Sequence, residues 1–75
     1  MHDHSIRVRH YISGGHEVIE PVAATGYRAV SAHPGGRSIY YIVRIADGRI
    51  VIGPVARGMV GTYLADAAHV VIDHD

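Results

Sequence analysis

The chain has 75 residues, a formal net charge of zero with histidine neutral, 48% hydrophobic residues and no cysteine. A domain of this length buries only about 60% of the surface that its unfolded chain exposes, and a drug-sized pocket of roughly 300–1,000 Å³ is a large share of such an interior, so a deep catalytic site would need a second copy of the chain. The missing cysteines exclude a disulfide framework and thiolate metal sites, and the charge balance removes the global electrostatic drive toward nucleic acid or an acidic membrane.

From the amino terminus, Met1 to Arg9 is polar and rich in histidine, without an apolar run of signal-peptide length, and nothing later approaches the ~20 apolar residues of a membrane span. Ser5 to Ile12 alternates, with Ile6, Val8, His10 and Ile12 on one face and Arg7, Arg9 and Tyr11 on the other, which predicts a half-buried strand. His10 on the apolar face reads as a core histidine, buried in neutral form. Ser13-Gly14-Gly15 is a turn, and His16 to Ile19 is a return strand that Glu20-Pro21 bends or ends. Thr25-Gly26 breaks the chain, Tyr27 to Ala32 forms a short strand, and His33-Pro34-Gly35-Gly36 is a turn.

Ser38 to Val55 is the clearest element, because β-branched and aromatic runs flank Asp47-Gly48, a strong hairpin signal. A two-residue turn there sets Ala46 against Arg49, Ile45 against Ile50, Arg44 against Val51 and Val43 against Ile52. One face then carries Ile39, Tyr41, Val43, Ile45, Ile50 and Ile52 with no charge, and is expected to be core. The other carries Tyr40, Ile42, Arg44, Arg49, Val51 and Val55, and is either a contact surface or a face covered by the rest of the chain. Gly53-Pro54 closes the second strand. Met59, Val60, Tyr63, Leu64, Ala67, Ala68 and Val71 then recur at helical intervals; Gly58 and Gly61 weaken the early part, so the helix is expected over Thr62 to Ala68 with Thr62 as N-cap. The β-branched run within His69 to Asp73 reads as a final strand.

These elements predict one domain, ordered over about residues 5–73 with flexible tails rich in histidine and aspartate. The fold class is mostly β: a small antiparallel meander, either an SH3-like barrel or an open sheet, with one short helix near residues 59–68 before a final strand. The arginine-only usage among basic residues points to a GC-rich bacterial or phage genome, and the expected compartment is the cytoplasm.

Four constellations bear on function. Tyr40, Ile42, Arg44, Arg49 and Val51 combine an apolar centre with arginine and tyrosine, the composition of a protein interface, so the expectation is a non-catalytic interaction module that self-associates or binds a protein partner through this face. The alternative is a nucleic-acid-binding barrel using Arg7, Arg9, Tyr11, Tyr40 and Arg44, with guanidinium forks on phosphates and bases stacked on tyrosine. His2-Asp3-His4 and Asp73-His74-Asp75 could meet as metal ligands, but their spacing matches no known site, and neither metal nor cofactor is expected. For nucleophilic catalysis Ser13, Ser31, Ser38, Thr25 and Thr62 stand near His16, His33 or His69 in no recognised arrangement, with Glu17 or Asp66 as orienter, so the chain is not expected to be an enzyme. A hydrolase or isomerase at a dimer seam, around His33 or His69, is a weaker reading.

Overall fold

The computed structural model of the chain describes residues 5–35, 38–69 and 71–72. The terminal histidine and aspartate clusters weighed as metal ligands lie outside these residues, as do Val70 and Asp73 of the expected final strand.

The expected first strand is two. A short β1 (Ser5–Ile6) pairs in parallel with β7 (Val71–Ile72), and β2 (Val8–Ser13) begins after Arg7. Arg7 stays at the end of the next ladder, its carbonyl accepting from the Val22 N–H at 2.8 Å, so the chain diverges just before it. Gly14 and Gly15, at φ 59° and 84°, close a two-residue turn into β3 (His16–Pro21), the pair of left-handed residues that a type I′ hairpin requires.

β3 pairs with β4 (Tyr27–Ser31) only through Val18 with Val30 and Ile19 with Ala29. Beyond them a side chain replaces the ladder: the Ser31 hydroxyl accepts from the Glu17 N–H at 3.0 Å and donates to the His33 carbonyl at 3.2 Å. β4 then pairs along its whole length with β5 (Ile39–Arg44).

β5 and β6 (Arg49–Ala56) form the expected hairpin with a longer loop. Four residues, 45–48, separate Arg44 from its partner Arg49, and the Gly48 N–H bonds to the Arg44 carbonyl at 2.7 Å. Asp47 holds this loop by accepting from the Arg49 N–H at 3.1 Å and from the Arg44 guanidinium at 2.9 and 3.2 Å. Val43 therefore opposes Ile50 rather than Ile52. Two irregularities follow, one leaving Val51 between the pairs Val43–Ile50 and Ile42–Ile52, the other leaving Gly53-Pro54 opposite Tyr41 alone. Gly53-Pro54 thus bulges β6 without ending it, an allowed place for a residue with no N–H to give.

The strand order is β2-β3-β4-β5-β6, every neighbour antiparallel. β2 and β6 do not meet, so the sheet is open and the barrel reading gives way to the open sheet with a helix on one face. A 3-10 turn over Arg57–Met59 leads into α1 (Val60–Ala68). Thr62 is not the N-cap expected: Met59 holds that position with no capping side chain, and Thr62 is exposed inside the helix.

Val60 and Leu64, with the half-buried Tyr63 and Ala67, pack on Ile19, Ala29, Tyr40, Ile42 and Val55. Tyr40 and Ile42 are fully buried, whereas Ile39, Ile45 and Ile50 are 42%, 42% and 56% exposed. The core assignment of the hairpin's two faces is thereby reversed except at Ile52, which pairs with Ile42 beyond the irregularity at Val51 and packs against the core as expected. Ala29, the smallest side chain of the core cluster, lies between Ile19 and Ile42 on the face where α1 packs, while the charges of that face, Arg44 and Arg49, sit at the loop end of the hairpin and avoid burial. Burial along β2 also falls short, since the His10 side chain is 51% exposed and the expected core histidine is a surface residue.

Candidate functional site

The best-organised polar cluster lies where β3, β5 and the entry to α1 converge. Glu17 comes from β3, on the same face as Ile19; Tyr40 comes from β5 with its ring in the core; Arg57 begins the 3-10 turn, its backbone N–H bonded to the Ser38 carbonyl at 3.2 Å. Arg57 grips the carboxylate with both terminal nitrogens, at 2.6 Å to Oε1 and 3.1 Å to Oε2, and the Tyr40 hydroxyl donates to Oε1 at 2.5 Å. That hydroxyl in turn accepts from Arg57, whose guanidinium also lies 5.7 Å from the tyrosine ring centroid. His10 Nδ1 stands 3.5 Å from Oε2.

The hydrogen bonds from Arg57 and then Tyr40 hold the Glu17 carboxyl at about 2, well below its usual range. Burial, then the adjacent carboxylate, pushes the Tyr40 phenol up. Each group is thus held in the state it already has at neutral pH. This is a clamp that fastens the start of α1 to the sheet, and it offers no proton to a reaction near neutrality.

Ser31, His16 and Glu17, drawn from the residues considered for nucleophilic catalysis, do come together. They form no nucleophile and base pair. The Ser31 hydroxyl is spent on backbone groups, and His16 Nδ1 donates to the Ser31 carbonyl at 2.8 Å. His33 and His69 are exposed, the first in the turn after β4 and the second as the C-cap of α1 at φ 59°.

On the face turned away from α1, register sets Tyr11, Val18, Val30 and Tyr41 in one row and Arg9, Glu20, Arg28, Val43 and Ile50 near the next. Glu20 sits inside a second network, accepting from the Tyr11 hydroxyl at 2.8 Å and from Arg9 at 3.2 Å, while Arg28 donates to the Tyr11 hydroxyl at 3.3 Å. Burial pulls the Glu20 carboxyl upward, and these hydrogen bonds outweigh it, leaving the group below its usual range. Beside this charged corner runs an apolar strip of Ile39, Tyr41, Val43 and Ile50, continued by Ile45 at the loop and by Val51, which is 39% exposed.

The residues singled out for partner contact are therefore dispersed. Tyr40 and Ile42 are beneath α1, Arg44 is paired with Asp47, and Arg49 and Val51 remain exposed. The nucleic-acid set is divided as well: Arg9 and Tyr11 lie on the uncovered face, Tyr40 and Arg44 on the helix-covered one, and exposed Arg7 lies between β1 and β2. Sequence reasoning missed Arg57 altogether, because it lies 40 positions from Glu17 and no local pattern joins them.

No family model matches the chain, and no curated protein or solved structure matches it significantly. Among the described residues no helix is long and apolar enough to cross a membrane.

Proposed function

We propose that the chain is a small, non-catalytic, self-associating interaction module that binds a protein partner through the face of the β5–β6 hairpin turned away from α1. The observation that carries this reading is the strip of Ile39, Tyr41, Val43 and Ile50, with Ile39 and Ile50 exposed and Tyr41 and Val43 half-buried, on the sheet face opposite the one that α1 covers. Exposed apolar side chains in a contiguous row, bordered by arginine and tyrosine, have the make-up of an interface core with a polar rim. Arg9, Tyr11 and Arg28 supply that rim. The closed Glu17–Tyr40–Arg57 clamp supports a binding role over a catalytic one, since its groups are already satisfied by one another. A fold held without disulfides suits the reducing cytoplasm, where we place it.

The test is site-specific photo-crosslinking in cells that make the protein. A photoreactive phenylalanine analogue at Ile50 is expected to give discrete adducts that vanish when Tyr41→Arg is added, and the same analogue at Thr62 on the exposed side of α1 is expected to give none. Identical adducts from both positions, or none from Ile50, would reject the hairpin face as the contact.

A further inference from the structure

The two edges of the sheet differ. β6 contains Pro54, which has no N–H, and two irregularities against β5, the devices by which natural sheets keep an edge from pairing. β2 has neither proline nor glycine and pairs without interruption from Val8 with Pro21 to Ser13 with His16.

Which backbone groups of β2 point outward follows from the turn. Ser13 and His16 flank a two-residue loop and so form a hydrogen-bonded pair, and the ladder alternates from there. The bond from the Val22 N–H to the Arg7 carbonyl falls on the same alternation. Val8, His10 and Ile12 therefore direct N–H and C=O away from β3, and among the described residues no backbone hydrogen bond reaches them.

We propose that a second copy of this chain pairs antiparallel with this edge, about a two-fold axis that passes through His10 perpendicular to the sheet. The proposal goes beyond the hairpin reading, because it uses the opposite edge of the sheet and stands whether or not the hairpin face has a partner. Self-complementarity selects both the occupant and the register. A two-fold of this kind keeps each sheet face continuous, so only residues of one face can oppose each other. Centred on Arg9 it would set two guanidiniums together, and centred on Tyr11 it would set Val8 against Gly14 of the turn. Centred on His10 it sets Val8 against Ile12 twice and Arg9 against Tyr11 twice, apolar on apolar and cation on ring. Every outward N–H and C=O of Val8, His10 and Ile12 is then paired across the axis. The pairing also covers Ile12, which at 66% is the most exposed large apolar side chain among the described residues. Each hairpin strip is left free at the far side of one continuous sheet, both facing the same way.

The experiment is light scattering on the full chain over a concentration series, together with single-cysteine crosslinking in a protein that has no cysteine of its own. The expected result is a species of twice the 8.1 kDa chain mass. Ile12→Lys, at an exposed position, should weaken the dimer by at least about tenfold in Kd with an unchanged far-UV spectrum. His10→Cys should form a disulfide-linked dimer under mild oxidation, since paired strands hold opposed Cα atoms about 5.5 Å apart, within disulfide reach. A monomer at every concentration would overturn the proposal. So would a dimer indifferent to Ile12→Lys, or one that crosslinks through Ile50→Cys and not through His10→Cys, which would move self-association to the hairpin face.

Discussion

Glu17 ties one carboxylate to three elements, and its acidity makes that tie measurable. Its pKa in the folded chain is about 2 against an ordinary 4.5, so it binds protons less readily folded than unfolded. The stability it contributes is complete above about pH 4.5 and is lost as pH falls through about 2. Linkage puts this at about 3 kcal/mol, and solvent around the 44% exposed Arg57 lowers it toward about 2 kcal/mol. Urea midpoints should fall between pH 5 and pH 2.5, and Glu17→Gln should flatten that fall while lowering stability at neutral pH; an equally steep acid limb in the variant would assign it to other groups. Gly53 is a second residue with a sharp requirement. At φ 141° an added Cβ would lie 2.6 Å from the Tyr41 ring and 3.2 Å from its Cα. Gly53→Ala should cost about 1–3 kcal/mol in equilibrium unfolding. Neither requirement is legible in the sequence: Glu17 is one candidate among several because Arg57 lies 40 positions away, and Gly53 reads as the end of a strand because the bulge that sets it against Tyr41 depends on the register of the hairpin.

The helix shows how an element can be legible while its ends are not. Val60, Tyr63, Leu64 and Ala67 were recognisable as one face from their spacing, and that face does meet the sheet. Its start was misplaced because two glycines argued against Val60 and a threonine offered itself as a cap. In the fold the chain enters α1 through the Arg57–Met59 turn, anchored by Arg57 to Glu17, so no capping side chain is required. Leu64→Ala should therefore cost about 2–5 kcal/mol through the cavity it leaves. Thr62→Ala should change stability by no more than about 0.5 kcal/mol; a loss of about 1 kcal/mol or more in thermal or urea unfolding would restore Thr62 as a cap.

At the scale of the whole molecule, α1 packs on the five-stranded open sheet and covers one of that sheet's two faces. Ile42 belongs to the face that the sequence alone offers as a contact surface, yet Ile42→Arg would place a charge at a site with no solvent exposure beneath Leu64 and Val60. It should abolish cooperative folding, since an unpaired buried charge costs several kcal/mol and a domain of this size has little stability to lose. Ile50→Arg, on the face once read as core, should keep the fold within about 0.5 kcal/mol. A circular dichroism melt of the two variants decides which face is inside, and the reverse ranking would return the core to Ile39, Val43 and Ile50.

Local chemistry was enough to determine the antiparallel meander, the paired-glycine turn after Ser13, the late helix and, near the hairpin loop, that Val43 shares a face with Ile50 and Arg44 with Arg49, though not which residues pair across the hairpin, since alternation, turn residues and helical spacing act over a few positions. Which face of that hairpin is core was decided only by the tertiary structure. A face without charge is not thereby buried; burial goes to the face whose neighbours, Ile19 and Ala29, leave room for Leu64 and Val60. The loop length of the hairpin rests on Asp47, whose bonds to the Arg44 guanidinium and the Arg49 N–H span only a few positions, whereas the exposure of His10 follows from the place of β2 at the edge of the sheet, which the strand order decides and no short window of sequence contains.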